Sequence, residues 1–282
     1  MFDQGPVTAP QRLQRSRGLA RAGFLLRDGV VRLADLHQAG SGKAMLPRVA
    51  GPVPEVVFLN TSGGLTAGDR LEFALEIGAG TRVTATTQTA ERAYAARGEA
   101  AEVTVQATVA AGGRLDWLPQ ETILYEDSRL NRRTTIDLAA DATCLLCETL
   151  VLGRQAMGET PLRAALDDRR LIRRAGRPLW AEALRLDAAA LTRRESPVLI
   201  GGARAMAVVA LVAQGAEDAL ARLRRALDEP GVTGGATGWD GRLLVRLLAQ
   251  DGWPLRRQLA RVLHILSGRP LPRVWQMHGV SP

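Results

Sequence analysis

The chain of 282 residues carries 37 basic and 29 acidic side chains, a formal net charge of +8, with 46% hydrophobic and only 4% aromatic residues. A chain of that length buries roughly three quarters of the surface it exposes when unfolded, so it needs neither a disulfide framework nor a structural metal, and no apolar run approaches the ~20 residues that span a bilayer. The positive charge invites a nucleic-acid reading, but Lys43 is the single lysine and aromatic rings for base stacking are scarce, so an acidic protein partner met by arginine forks fits better.

Residues 1 to 18 read as a mobile N-terminal arm, and residues 19 to 282 as one domain. Arg12, Arg15, Arg17 and Arg21 lie among polar residues, without the apolar core of a secretory signal. With two cysteines and no such signal, a cytoplasmic location is expected. From Ala22 the pattern becomes short strands, beginning with a hairpin whose turn is Asp28-Gly29. Ala39 to Lys43 reads as a flexible loop, and Pro47, Pro52 and Pro54 keep the chain extended into the apolar run Val56-Val57-Phe58-Leu59.

Asn60-Thr-Ser-Gly63-Gly64-Leu-Thr-Ala-Gly68-Asp69-Arg70 follows, a glycine-rich link into a strand in which Leu71, Phe73, Leu75 and Ile77 alternate with Glu72, Ala74 and Glu76. It lacks the Lys-Ser/Thr ending of a phosphate loop and precedes a strand rather than a helix, so it reads as a structural turn that Asp69 fixes by accepting backbone N–H groups. A weak repeat comes next. Ile77-Gly-Ala-Gly-Thr-Arg-Val83, Val109-Ala-Ala-Gly-Gly-Arg-Leu115 and Leu138-Ala-Ala-Asp-Ala-Thr-Cys144 each end one strand and begin another. Such a period suggests stacked β-units around a shared core.

Further strands are expected at 103–109, 114–118 and 132–138, and between Leu162 and Arg185, with turns at Asp167-Asp168 and at 175–178. After about residue 200 the order reads β-α-β-α: a buried strand at 205–212, a helix from Ala216 to Leu227 stopped by Asp228-Glu-Pro-Gly231, a strand at 241–248, and a helix from Pro254 to Leu266 ended by Ser267-Gly268. The fold class is therefore mostly β, in an elongated β-helix-like stack, with two C-terminal helices.

Few groups suggest chemistry. Cys144 and Cys147 form only half of a structural zinc site and, three apart on a strand, face opposite ways, so they read as two small buried hydrophobes. His37, His264 and His278 show no metal spacing. Ser62, with Asp69 and a histidine, is the only nucleophile reading, that of a β-rich hydrolase, and it lacks the G-x-S-x-G elbow. Glu121 and Glu148 sit in apolar surroundings where an ionised carboxylate needs a partner, with Arg154 or Arg114 as candidates. They read either as buried salt bridges or as carboxylates facing a polar passage or a metal ion.

Taken together, Asn60 to Arg70, Gly80-Thr-Arg-Val83, Leu118-Pro-Gln-Glu-Thr122, Glu148 to Arg154, Gly158-Glu159 and Gly268-Arg-Pro270 to Pro272-Arg-Val-Trp275 resemble the urease accessory protein family UreD, also called UreH, over residues 20 to 276. The resemblance departs at Asn60-Thr-Ser-Gly-Gly, where many relatives carry Pro-Pro-Gly-Gly. It implies a non-enzymatic assembly factor that binds apo-urease and the accessory proteins UreF and UreG, in an elongated β-helix-like fold with a nickel tunnel. On that reading no cofactor is held tightly, and Gln120, Glu121, Glu148 and Thr87 are candidates to line a route for Ni²⁺ in transit. The arginines at 169, 170, 173 and 174 are candidates for partner contacts.

Overall fold

Alternation of apolar and polar residues sets the strands, and the small-residue turns between them set the architecture. The computed structural model describes residues 15–49 and 51–276. The expected arm at residues 1–14 and His278 lie outside the described residues; the first strand, β1 (Arg17–Arg27), takes up the last two residues assigned to that arm. It pairs with β2 (Val30–Gly40) through Asp28 and Gly29, both at positive φ as a two-residue hairpin requires.

The expected flexible loop at 39–43 is instead a tight corner from β2 into β3 (Gly42–Met45). Ser41 N donates to Arg17 O at 3.0 Å, and a Cβ on Gly40 would lie 1.8 Å from the same oxygen.

Successive turns of a solenoid then lay strands in two facing sheets. They comprise β4 (Glu55–Asn60) and β5 (Arg70–Ile77); β6 (Arg82–Thr87), β7 (Glu91–Ala93) and β8 (Ala101–Val109); β9 (Arg114–Trp117), β10 (Thr122–Leu124) and β11 (Arg129–Leu138); and β12 (Thr143–Leu152) with β13 (Ala165–Arg174). The repeat seen in the sequence is the corner of each turn. Ile77 stacks on Val109 and Val109 on Leu138, while Arg82, Arg114 and Thr143 stack at the start of the next strands. Identical corners bring each turn back in parallel register, so inward-facing residues of one turn meet those of the next.

β14 (Arg177–Leu186) folds back on β13 through a turn at Ala175-Gly176, and the helix α1 (Ala188–Thr192) follows. Asp167-Asp168 is not a turn: both residues lie inside β13. The C-terminal part contains β15 (Ala205–Val212), α2 (Leu220–Arg225), β16 (Val232–Trp239), β17 (Arg242–Ala249) and α3 (Gly252–Ser267). The expected β-α-β-α order thus gains β16, whose Val-Thr-Gly-Gly-Ala-Thr-Gly-Trp sequence shows little apolar periodicity because it is an edge strand with one buried residue, Ala236. Asp251 caps α3, accepting from Trp253 N, and Gly268 ends it at φ 66°.

One sheet has seven strands in the order β14-β13-β11-β8-β5-β1-β2; the other has ten, running β16-β17-β15-β12-β9-β6-β4-β3 with β10 and β7 beside β12. The fold is mostly β with solenoid-like stacking and few helices. Between the sheets lies a core in which Phe58 stacks on Phe73 at 4.7 Å and packs near Trp117. A second core on the outer face of the ten-stranded sheet receives Leu255, Leu259, Val262 and Leu263 of α3. Every residue of β15 is buried because both its faces are covered.

Gly40→Ala should lower stability by about 3 kcal/mol, combining left-handed backbone with a clash against a partner strand, whereas Gly29→Ala, with open space around it, should cost about 1 kcal/mol. Urea unfolding midpoints measure the difference, and equal costs would remove the close-approach argument.

Candidate functional site

The solenoid passes from the ten-stranded sheet to the seven-stranded one through four linkers, and the glycine-rich stretch is the first of them. It therefore joins strands of different sheets, β4 and β5, rather than closing a hairpin. Asn60 Oδ1 accepts from Ser62 N at 3.1 Å, and Leu65 exchanges backbone bonds with Arg92 and Tyr94 on the next turn. Gly64, at φ 149°, is required because a Cβ would lie 2.3 Å from the Tyr94 ring; Gly63 and Gly68 also have positive φ. As expected of a turn-fixing carboxylate, Asp69 accepts from Thr66 N at 2.8 Å and from Ser16 N at 2.7 Å. Ser62 Oγ donates to Asn60 Oδ1 and Gly64 O, so it is not joined to Asp69 in a nucleophilic pair.

Behind this linker, between the sheets, is a cavity of about 100 Å³. Its lining brings together Asn60, Thr87, Glu91, Gln120, Arg132 and Glu148. Three of the four candidate route residues, Thr87, Gln120 and Glu148, thus meet at one space. Thr87 Oγ1 accepts from Gln120 N at 2.9 Å, while Trp117 Nε1 donates to Glu148 at 3.3 Å.

Glu121 is not part of that space. It lies across the ten-stranded sheet in an outer groove of about 320 Å³ with Thr149, Arg154, Trp253, Arg256 and Trp275. The chain from Leu118 to Glu121 crosses from β9 to β10, and Gln120 stands at the partition. Its backbone serves the cavity, and its Oε1 accepts from Arg256 at 2.6 Å, while Arg256 also pairs with Glu121 at 3.1 Å.

The expected partners of the two glutamates are therefore replaced. Arg154 pairs with Glu159 and Arg114 with Asp116, whereas Glu148 is held by Arg132 at 2.7 Å. Arg132 also grips Asp168 through Nε and an Nη at 3.0 and 2.6 Å and donates to Thr122 Oγ1. Asp168 in turn pairs with Arg170, Arg170 with Glu182, and Glu182 with Arg246 at the surface. A chain of alternating charge thus runs from the cavity to solvent.

Burial opposes the charge on Arg132, but the carboxylates of Asp168 and Glu148 hold its pKa above the ordinary value. Burial would raise the Asp168 carboxyl, and Arg132 and Arg170 outweigh it, leaving it below the usual range. Arg170 is consequently an interior residue, not a surface contact. Arg169 and Arg173 remain at the surface, paired with Asp167 and Asp137, and half-buried Arg174 donates to Ala142 O.

Arg132, Asp168 and Glu91 were missed in the sequence. A signal exists for the first two: Arg132 shares the strand phase of Leu130, Ile136 and Leu138, and Asp168 that of Leu166 and Ile172, so both must point inward. Glu91 opens β7, a strand of three residues too short to show such a phase. Its carboxylate accepts from Asn60 Nδ2 at 3.2 Å, and burial pushes its pKa up to about 7 despite that bond.

Cys144 and Cys147 are both fully buried, one in each core, and burial pushes the Cys144 thiol up to about 12. Among the described residues no three His, Cys, Asp or Glu side chains converge as a metal cage. No helix among them is long and apolar enough to cross a membrane. His37 is exposed on β2, and exposed His264 lies near Arg269 O at the end of α3.

A sequence profile described as UreD urease accessory protein matches residues 16–276. A urease accessory protein UreD from Cereibacter sphaeroides is 61% identical over 94% of this chain and 96% of its own. The protein of that name from Paracoccus denitrificans is 54% identical over 98% and 97%, and that from Rhizobium leguminosarum 44% over 96% and 99%.

The raised Glu91 pKa has a definite sign. A carboxyl whose folded pKa of about 7 exceeds its unfolded value near 4.5 contributes stability below pH 4.5 that is lost as pH rises through 7. Glu91→Gln should therefore be more stable than the parent by about 3 kcal/mol at pH 8, with the gap closing below pH 4.5. Thermal or urea unfolding across that range measures it, and a pH-independent difference would refute the assignment.

Proposed function

The chain belongs to the UreD urease accessory protein family, and from that premise we propose that it serves urease maturation as a scaffold without chemistry of its own. It docks apo-urease together with the accessory proteins UreF and UreG in the cytoplasm while Ni²⁺ passes to the urease active site. Full-length family membership carries this reading. Each stable contact would bury at least ~1,200 Å² in total.

The inter-sheet cavity supports a nickel route in this scaffold. Its donors are isolated carboxylates, hydroxyls, amides and backbone oxygens, which hold nickel more loosely than imidazole or thiolate clusters. Glu148 offers an oxygen to a dication only in competition with the Arg132 guanidinium, which disfavours a resident ion and favours transit. Glu121, on the other side of the partition formed by Gln120, serves a separate stretch of the route in the outer groove.

Two other readings predict different behaviour. A nucleic-acid binder would lose affinity steeply with salt, with a log–log slope near about −0.9 per phosphate contacted, whereas co-purification with urease that resists salt supports the scaffold. A hydrolase would label at Ser62 with a serine-directed probe.

In cells carrying the urease genes, Glu148→Gln should lower nickel per urease severalfold while the variant still co-purifies with its partners. Glu121→Gln should have the same effect if the groove is part of the route. Normal nickel content in a complex that assembles normally would remove that residue from the conduit; loss of the complex itself would assign the residue to assembly.

A further inference from the structure

The solenoid repeat has an electrostatic consequence on the outer face of the ten-stranded sheet. It places Arg82, at the start of β6, beside Arg114, at the start of β9, as register partners. Like charges facing each other across neighbouring strands oppose pairing unless an anion sits with them.

One carboxylate does. Asp116, fully buried and two residues further along β9 on the same face, accepts from Arg114 Nε at 2.7 Å and from Arg269 at 3.3 Å. Both of those arginines have further work: Arg114 donates to Leu266 O at the end of α3, and Arg269 to Thr84 Oγ1. Arg82 has no hydrogen bond or ion pair among the described residues, and the Nε atoms of Arg82 and Arg269 are buried without a partner. Exposed Arg273 adds a fourth guanidinium, and half-buried Glu55 adds a second carboxylate, which feels both Arg269 and Arg273.

Four cations against two carboxylates leave a local excess of positive charge. Burial first, and then the charge of Arg114, lower the pKa of Arg82; Asp116 offsets part of this and Arg269 adds to it.

We infer that this cluster is a docking point for a carboxylate on an acidic segment of a protein partner, with Arg82 as the contact residue. A guanidinium fork pairs with a carboxylate through two parallel bonds, and the forks of Arg82 and exposed Arg273 make none among the described residues; Arg82 is the one of the two fixed on a strand of the sheet, opposite Arg114. The site offers single guanidinium forks rather than a basic stripe with stacking aromatics, which fits one carboxylate of an acidic segment better than a nucleic-acid backbone. The inference is independent of any nickel route.

The test uses the full-length protein and a fluorescein-labelled hexaglutamate peptide, followed by anisotropy at low salt. Arg82→Glu should weaken binding about tenfold and Arg82→Gln by a smaller factor, while Arg133→Gln, an exposed arginine on the other sheet, should leave it unchanged. Unchanged thermal unfolding of Arg82→Gln confirms that the fold is intact; should Arg82→Glu fail to fold, Arg82→Gln decides alone. Equal binding by wild type and Arg82→Gln overturns the inference, as does no binding by wild type. Displacement of the peptide by a short single-stranded DNA or by inorganic phosphate at lower concentration than by unlabelled hexaglutamate would replace the acidic segment with a phosphate ligand.

Discussion

Parallel, in-register stacking of the solenoid turns is the constraint on which the rest of this structure depends. Side chains on a strand alternate with period two, so once Ile77, Val109 and Leu138 are stacked, every residue of β5, β8 and β11 has its face assigned. The same stacking that lines up Leu71, Val103 and Arg132 commits an arginine to the interior. The charge network between the sheets follows from that commitment.

A buried guanidinium is tolerable only when carboxylates surround it, and Arg132 has Glu148 from the opposite sheet and Asp168 from the neighbouring strand. Removing one partner would leave an uncompensated charge in a dry interior. The network thus ties the two sheets together while keeping a polar space between them. That double role explains how a hydrophobic solenoid can enclose a cavity lined by oxygen donors, and why the cavity lies where β9 gives way to β10 and continuous pairing with β12 is interrupted.

The glycine-rich linker belongs to the same logic. It must carry the chain from one sheet to the other while passing close to Tyr94 and Arg92 of the next turn, which Gly64 permits. Asp69 closes its far end by holding Thr66 N and Ser16 N. The linker is also a wall of the cavity, and Asn60 at its start donates to the carboxylate of Glu91 at the start of β7.

The sequence by itself determined the strand-rich class, the repeat, the hairpin at Asp28-Gly29, the presence of α3 and its stop at Gly268, and the opposed burial of Cys144 and Cys147, because each depends on local backbone preference or on strand parity. It also carried the family, through ordered motifs along nearly the whole chain. It did not reveal β16, whose residues pack too little to leave a periodic trace, nor the corner at Gly40 to Gly42, where glycine serves close approach as well as a positive φ. Tertiary structure alone decided which charges pair. Arg132 with Glu148 and Arg256 with Glu121 are separated by 16 residues or more along the chain, and only the stacking of turns and the seating of α3 bring them together.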